Sequence, residues 1–185
     1  MEPVYLDQGA LFDPSRRYRY RLWRTWDEAR ARVLFVMLNP STADAVRLDP
    51  TVRRCLGFAM RWGLGGLDVA NLFALRASDP ERLYRARDPV GPGNDRHLEE
   101  LASRARLVVL AWGTHGKLLG RGARVCGALS RLGPVHALRL TRDGHPGHPL
   151  YLPASATPRL AWMTRSGRFR AGGGRRRELA ARPTP

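Results

Sequence analysis

Four short apolar runs in this chain each lead into residues able to do chemistry. Val33 to Leu38 is followed by Asn39, Pro40, Ser41 and then Asp44; Leu67 to Leu72 contains Asn71 and leads into Phe73 and Arg76. Leu107 to Trp112 is followed by Gly113, Thr114, His115 and Gly116. Val135 to Leu140 leads through Thr141 and Arg142 to His145-Pro-Gly-His148-Pro-Leu-Tyr151. A carboxamide offers both a donor and an acceptor, and an imidazole offers a proton near neutral pH or a metal-binding nitrogen.

Each residue type also has a purely architectural use. Asn39 and Asn71 could close Asx turns at strand ends, and the His-Pro repeat could be a rigid loop whose imidazoles cap carbonyls. His115, His145 and His148, with an acid such as Asp44, could instead hold a metal for hydrolysis, although no tight Cys or His spacing marks a zinc site. What favours a binding or catalytic edge is the shared position, because crossover loops need Gly, Asp or Ser but not Asn-Pro, Trp-Gly and paired His-Pro.

The elements that would position these residues follow from periodicity. The four apolar runs read as central strands, and Tyr18 to Trp26 alternates with period two, as an antiparallel edge strand would. Between them Asp49 to Trp62, Asp79 to Tyr84, Asn94 to Ala105 and Gly116 to Leu132 read as helices, with Asp49-Pro50 and Ser78-Asp79-Pro80 as N-terminal caps. Strands alternating with helices predict an α/β fold, a three-layer α/β/α domain around a central, mainly parallel four-stranded sheet. Ligands of such sheets bind beyond the carboxyl ends of the strands, where all four polar loops would lie. The expected organisation is an N-terminal extension over 1–15, one domain over 16–158 and a disordered Arg/Gly-rich tail over 159–185.

Charge suggests the partner. The chain has 185 residues, a formal charge of +16 and 31 arginines beside the single Lys117. That balance suits a polyanion, with nucleic acid first and DNA ahead of RNA, although a GC-rich coding bias also enriches arginine. Arg53, Arg54, Arg76 and Arg142 are the candidates for holding phosphates; Arg53 and Arg54 could equally lie on a solvated helix face. No P-loop, Gly-x-Gly-x-x-Gly or Gly-x-Ser-x-Gly pattern occurs, so no cofactor is expected. Two separated cysteines, Cys55 and Cys126, the lack of an apolar leader and the lack of a long apolar stretch predict a cytoplasmic chain without membrane contact, with a monomer as the expected state.

The string Phe35-Val-Met-Leu-Asn-Pro-Ser-Thr-Ala-Asp44, with Asp49-Pro-Thr51, Asn71-Leu-Phe-Ala-Leu-Arg76, Ala111-Trp-Gly113 and His145-Pro-Gly-His-Pro-Leu-Tyr151, resembles an uncharacterised bacterial and phage family, domain-of-unknown-function family sixteen forty-three. More remotely, the order Leu38-Asn39-Pro40, Asn71, Ala111-Trp112-Gly113 and His145-Pro-Gly-His-Pro-Leu150 resembles the uracil-DNA glycosylase superfamily. That resemblance implies a glycosylase-like fold and hydrolysis of an N-glycosidic bond. It implies that Asn39 positions the attacking water, that Asn71 reads the amide edge of a base and that His145 or His148 hydrogen-bonds the departing base. Ser41, Trp112 and His115 would complete the substrate site. Phe58, Phe73 and Tyr151 are candidates for the aromatic wall on which an extruded base stacks. Two alternatives stay open: a non-catalytic nucleic-acid-binding module on the same fold, and the metal-dependent hydrolase.

Overall fold

The computed structural model describes residues 3–41, 48–164 and 166–172. Its architecture is α/β. Eight strands form one sheet: β1 (Asp7–Phe12), β2 (Arg19–Thr25), β3 (Arg32–Met37), β4 (Gly66–Asn71), β5 (Leu107–Leu110), β6 (Val135–Ala137), β7 (Arg159–Met163) and β8 (Phe169–Ala171). Their spatial order is β1-β2-β4-β3-β5-β6-β7-β8. The middle strands β4, β3, β5 and β6 pair in parallel, and the flanking pairs are antiparallel. The expected four-stranded sheet is therefore corrected to an eight-stranded mixed one.

Two further expectations are corrected. The Tyr18 to Trp26 segment lies inside the sheet, because β1, drawn from the expected N-terminal extension, pairs along its outer side. The expected tail from 159 begins with β7 and β8, which extend the other flank and bring Phe169 into the core. The remainder of that tail, 173–185, lies outside the described residues, as do Thr42 to Arg47. Both flanks read weakly because outer strands are only part buried and carry little apolar signal.

The central runs are continuously apolar because both faces are covered. Val33, Phe35 and Met37 of β3 enter one core, together with Val52, Cys55, Leu56, Phe58 and Ala59 of helix α1 (Pro50–Arg61). Leu34 and Val36 enter the other, with Leu98 and Ala102 of α3 (Asn94–Arg104) and Val125, Cys126 and Leu129 of α4 (Arg121–Leu132). The short α2 (Glu81–Arg85) contributes Leu83 to this second core. Alternating side chains of one strand thus reach opposite helical layers.

Local chemistry starts α1 where the sequence predicts. Asp49 accepts from the Val52 N–H at 2.7 Å and Pro50 occupies the first turn, so one orphan donor is satisfied and no N–H is wasted. Asp79 accepts from the Glu81 N–H at 2.9 Å ahead of α2. Across the sheet, the Asp68 carboxylate joins three strands, receiving Arg21 Nε and Arg32 Nε at 2.7 Å each. Both cysteines are buried thiols, and burial pushes each thiol upward in pKa, away from nucleophilic use. Among the described residues no helix is long and apolar enough to cross a membrane.

Candidate active site at the strand exits

The chain runs from β3 outward to β4, then crosses back to place β5 on the other side of β3. The α1 layer follows β3 and the α4 layer follows β5 on the opposite face. Loops leaving neighbouring strands in opposite directions open a crevice at their carboxyl ends. The loops that begin at Leu38 and Ala111 flank it.

The loop after β3 is fastened by side chains. The Asn39 amide nitrogen donates to the carbonyls of Pro40 at 3.0 Å and Ala77 at 2.7 Å. The Ala77 N–H returns a bond to the Pro40 carbonyl at 2.9 Å, so the exits of β3 and β4 are zipped together. With its nitrogen committed, Asn39 has its carbonyl oxygen left to present. Ser41 Oγ donates to Asp49 Oδ2 at 2.6 Å, which ties this loop to the start of α1 and commits the serine hydroxyl to that carboxylate.

Asn71, the last residue of β4 and the register partner of Met37, is 1% exposed. Among the described residues neither its side-chain nitrogen nor its side-chain oxygen has a hydrogen-bond partner. An unpaired buried amide costs about 1–3 kcal/mol, so its retention calls for an explanation outside the fold. Its backbone, by contrast, is held firmly. Asn94 Nδ2 donates to the Asn71 carbonyl at 3.0 Å and the Leu72 carbonyl at 3.1 Å. Arg121 Nε adds 2.8 Å to the Leu72 carbonyl while its Nη2 pairs with Asp95. Asn94 and Arg121 escape the sequence reading. Asn94 reads there only as a helix start and Arg121 as one cation among many, and nothing local signals their burial.

The loop after β5 turns at Gly113, whose φ of +73° is a left-handed conformation that glycine adopts without penalty,. The Gly113 N–H donates to the Pro146 carbonyl at 2.8 Å, and Gly147 N–H to the Arg139 carbonyl at 2.7 Å. The His-Pro loop is thereby fastened beside the β5 exit. His145 Nδ1 is buried and has no partner among the described residues, and its ring lies 6.2 Å from Phe169. His148 Nδ1 accepts from the Leu150 N–H at 3.4 Å, and its ring lies 5.5 Å from that of Tyr151. A neutral ring accepting at Nδ1 carries its proton at Nε2, which becomes a donor.

Burial lowers the pKa of His145, an effect that Asp143 opposes and Lys117 reinforces. Burial likewise lowers that of His148, with Asp49 opposing. Both rings are therefore neutral at pH 7. The unfolded chain protonates its histidines near the ordinary value of 6.5 while the folded chain resists; stability is therefore full above that value and declines as pH falls below it. Urea midpoints are expected to drop between about pH 7.5 and about pH 5.5, and the drop is expected to shrink in His148→Gln. A midpoint that rises on acidification contradicts the assignment of neutral rings.

The three histidines do not converge. His115 Nδ1 meets the Tyr84 hydroxyl at 3.1 Å, His145 sits beside Phe169 and His148 beside Tyr151. Among the described residues no three His, Cys, Asp or Glu side chains group as metal ligands, so the metal-hydrolase alternative finds no ligand group there; Asp44 lies outside those residues. The aromatic expectations divide. Phe73 and Phe58 are core residues at 0% and 1% exposure, and Trp112 at 1% packs in the same core as Phe73. Tyr151 is 81% exposed beside His148, and alone of the four offers a wide open ring face.

The expected phosphate contacts divide as well. Arg54 Nη2 donates to the Leu152 carbonyl and its guanidinium lies 5.2 Å from the Phe58 ring, so it pins the His-Pro loop to α1. Arg53 and Arg142 are exposed. Arg76 lines a cavity of about 700 Å³ with Ser41 and four arginines that the sequence reading does not single out.

The family described as "Protein of unknown function (DUF1643)" matches residues 19–150, from β2 to the His-Pro loop. No curated protein and no solved structure matches the chain.

Proposed function

We propose that this chain, which belongs to the DUF1643 family, hydrolyses the N-glycosidic bond of a damaged or modified base in nucleic acid, DNA ahead of RNA. The observation that carries the reading is the buried side-chain amide of Asn71, with donor and acceptor both unpaired at a strand exit. A pyrimidine edge presents the complementary acceptor and donor, and pairing would recover the cost of burying the amide. The remote likeness of the motif order to uracil-DNA glycosylases is consistent with this assignment, as is the placement of Asn39 in the loop after β3, Asn71 at the end of β4 and His148 in the loop fastened beside the β5 exit.

The reaction adds water at C1′ of the sugar while the bond from C1′ to the base nitrogen breaks, and the base leaves with the bonding pair. The Asn39 carbonyl oxygen accepts from the water and aims its lone pair, without acting as a strong base. His148 Nε2–H donates to an oxygen of the departing base, which carries the developing negative charge. The water proton ends on the released base or in solvent. Tyr151 supplies the stacking face for the extruded nucleotide.

Labelled oligonucleotides containing uracil, mismatched or modified bases, treated with alkali after incubation, reveal abasic sites. Wild-type protein is expected to generate them, and Asn39→Ala to slow the reaction about a hundredfold with folding intact. Equal rates for the two proteins would remove Asn39 from the mechanism. A second reading is a non-catalytic nucleic-acid-binding module, favoured by the arginine-lined cavity; tight binding with no base released by the folded protein distinguishes it.

A further inference from the structure

The cavity of about 700 Å³ beside the strand exits is walled by Arg16, Arg17, Arg76, Arg82 and Arg85, with Ser41 at its side nearest the loop after β3. Among the described residues none of these five arginines forms an ion pair with a carboxylate. Carboxylates elsewhere take up arginines, as Asp68 does with Arg21 and Arg32. Two of the cations are brought close by construction. Arg16 lies 4.3 Å and Arg76 5.1 Å from the same Phe12 ring centroid, and Arg76 Nη1 donates to the Arg16 carbonyl at 3.1 Å. Arg76 Nε is buried with no partner among the described residues, and Arg16 holds a left-handed φ of 59°, which a side-chain-bearing residue adopts at a cost. Like charges gathered around one ring, with a donor left unpaired, are stable chiefly when an anion completes the site.

We propose that this cavity binds successive phosphates of a single nucleic-acid strand, holding the backbone next to the nucleotide delivered to Asn71. The inference rests on the proposed function for its direction, since Ser41 is common to the cavity and to the Asn39 loop. Five guanidinium groups exceed what one phosphate neutralises, and planar forks suit phosphodiester oxygens. The volume accommodates a ligand larger than a single anion. A free polyphosphate shares this chemistry, so the test must separate the two sources.

The probe is a labelled single strand of about 16 thymidines, which contains no base to excise. Its affinity is measured over a range of salt concentrations for wild type, Arg82→Gln/Arg85→Gln and Arg124→Gln/Arg131→Gln. The last pair removes the same charge from exposed positions on α4. Each lost phosphate contact lowers the slope of log affinity against log salt by about 0.7, so the α2 double variant is expected to lose about 1.4 and the α4 control far less. Equal slopes in wild type and the α2 variant would overturn the proposal. So would inorganic triphosphate binding in this cavity more tightly than the strand does. Base release measured in parallel on a damaged oligonucleotide keeps the two readings apart: persistent release with unchanged slopes removes the cavity assignment alone, and altered slopes with no release removes hydrolysis alone.

Discussion

Asn71→Leu is expected to be at least as stable as wild type, gaining up to about 1–3 kcal/mol, and to lose base-specific activity by at least about a hundredfold. Among the described residues the side-chain amide makes no hydrogen bond, so replacing it with an apolar group of similar length removes a desolvation cost and breaks no bond there. The Asn71 and Leu72 carbonyls remain bound to Asn94 and Arg121. A substrate that pairs with the amide would, in the variant, bury its own donor and acceptor against methyl groups. Urea unfolding and single-turnover excision rates measure the two effects separately. If Asn71 serves only the architecture, leucine destabilises the protein and activity falls in proportion to the folded fraction.

Trp112→Ala is expected to cost about 3–5 kcal/mol, as removal of a buried aromatic generally does. At this chain length that lowers Tm by roughly 2–4 °C per kcal/mol. Trp112 is enclosed by its own neighbours: a Cβ at Gly116 would lie 2.1 Å from Trp112 Cδ1, and one at Gly122 3.1 Å from Nε1. Phe169 meets it edge-on at 5.7 Å. The two glycines thus make room for the indole, and no aliphatic side chain rearranges easily into the hole. A Trp112→Ala protein with wild-type Tm but weakened substrate binding would restore the sequence expectation that this residue contacts substrate.

That expectation shows where sequence reasoning runs out. The exits of β3, β4, β5 and β6 were legible because central strands buried on both faces are short apolar runs, and polar loops stand out against them. Asp49-Pro50 was legible because a cap is a local device. The facing of a residue at a strand exit is not local: Trp112 continues the face of Val108 and Leu110, which α4 covers, and only knowing that cover identifies it as core. Phe73 belongs to the same core. The alternation from Val108 was a usable signal for Trp112; the position of the covering helix was not.

The arginines show the same limit from the other side. Arg19, Arg24 and Arg121 are at most 1% exposed, and Arg21 and Arg32 serve Asp68, so part of the formal charge is architectural. The cavity arginines come from the turn before β2, the loop after β4 and α2, segments that only the folded chain brings together. Strands β7 and β8 were hidden because an arginine-rich stretch with scattered Trp162 and Phe169 carries the composition of a tail. The pairing of β7 with β6 is long-range information.

Product analysis in ¹⁸O-labelled water tests the central claim most directly. Wild-type protein acting on an oligonucleotide with a susceptible base is expected to release that base intact and to leave one labelled oxygen on the abasic sugar, with both products suppressed in Asn71→Leu. Folded protein that binds such oligonucleotides yet yields no free base across uracil, mismatched and modified substrates, or that yields it equally with Asn71→Leu, would contradict the assignment of this site to N-glycosidic hydrolysis.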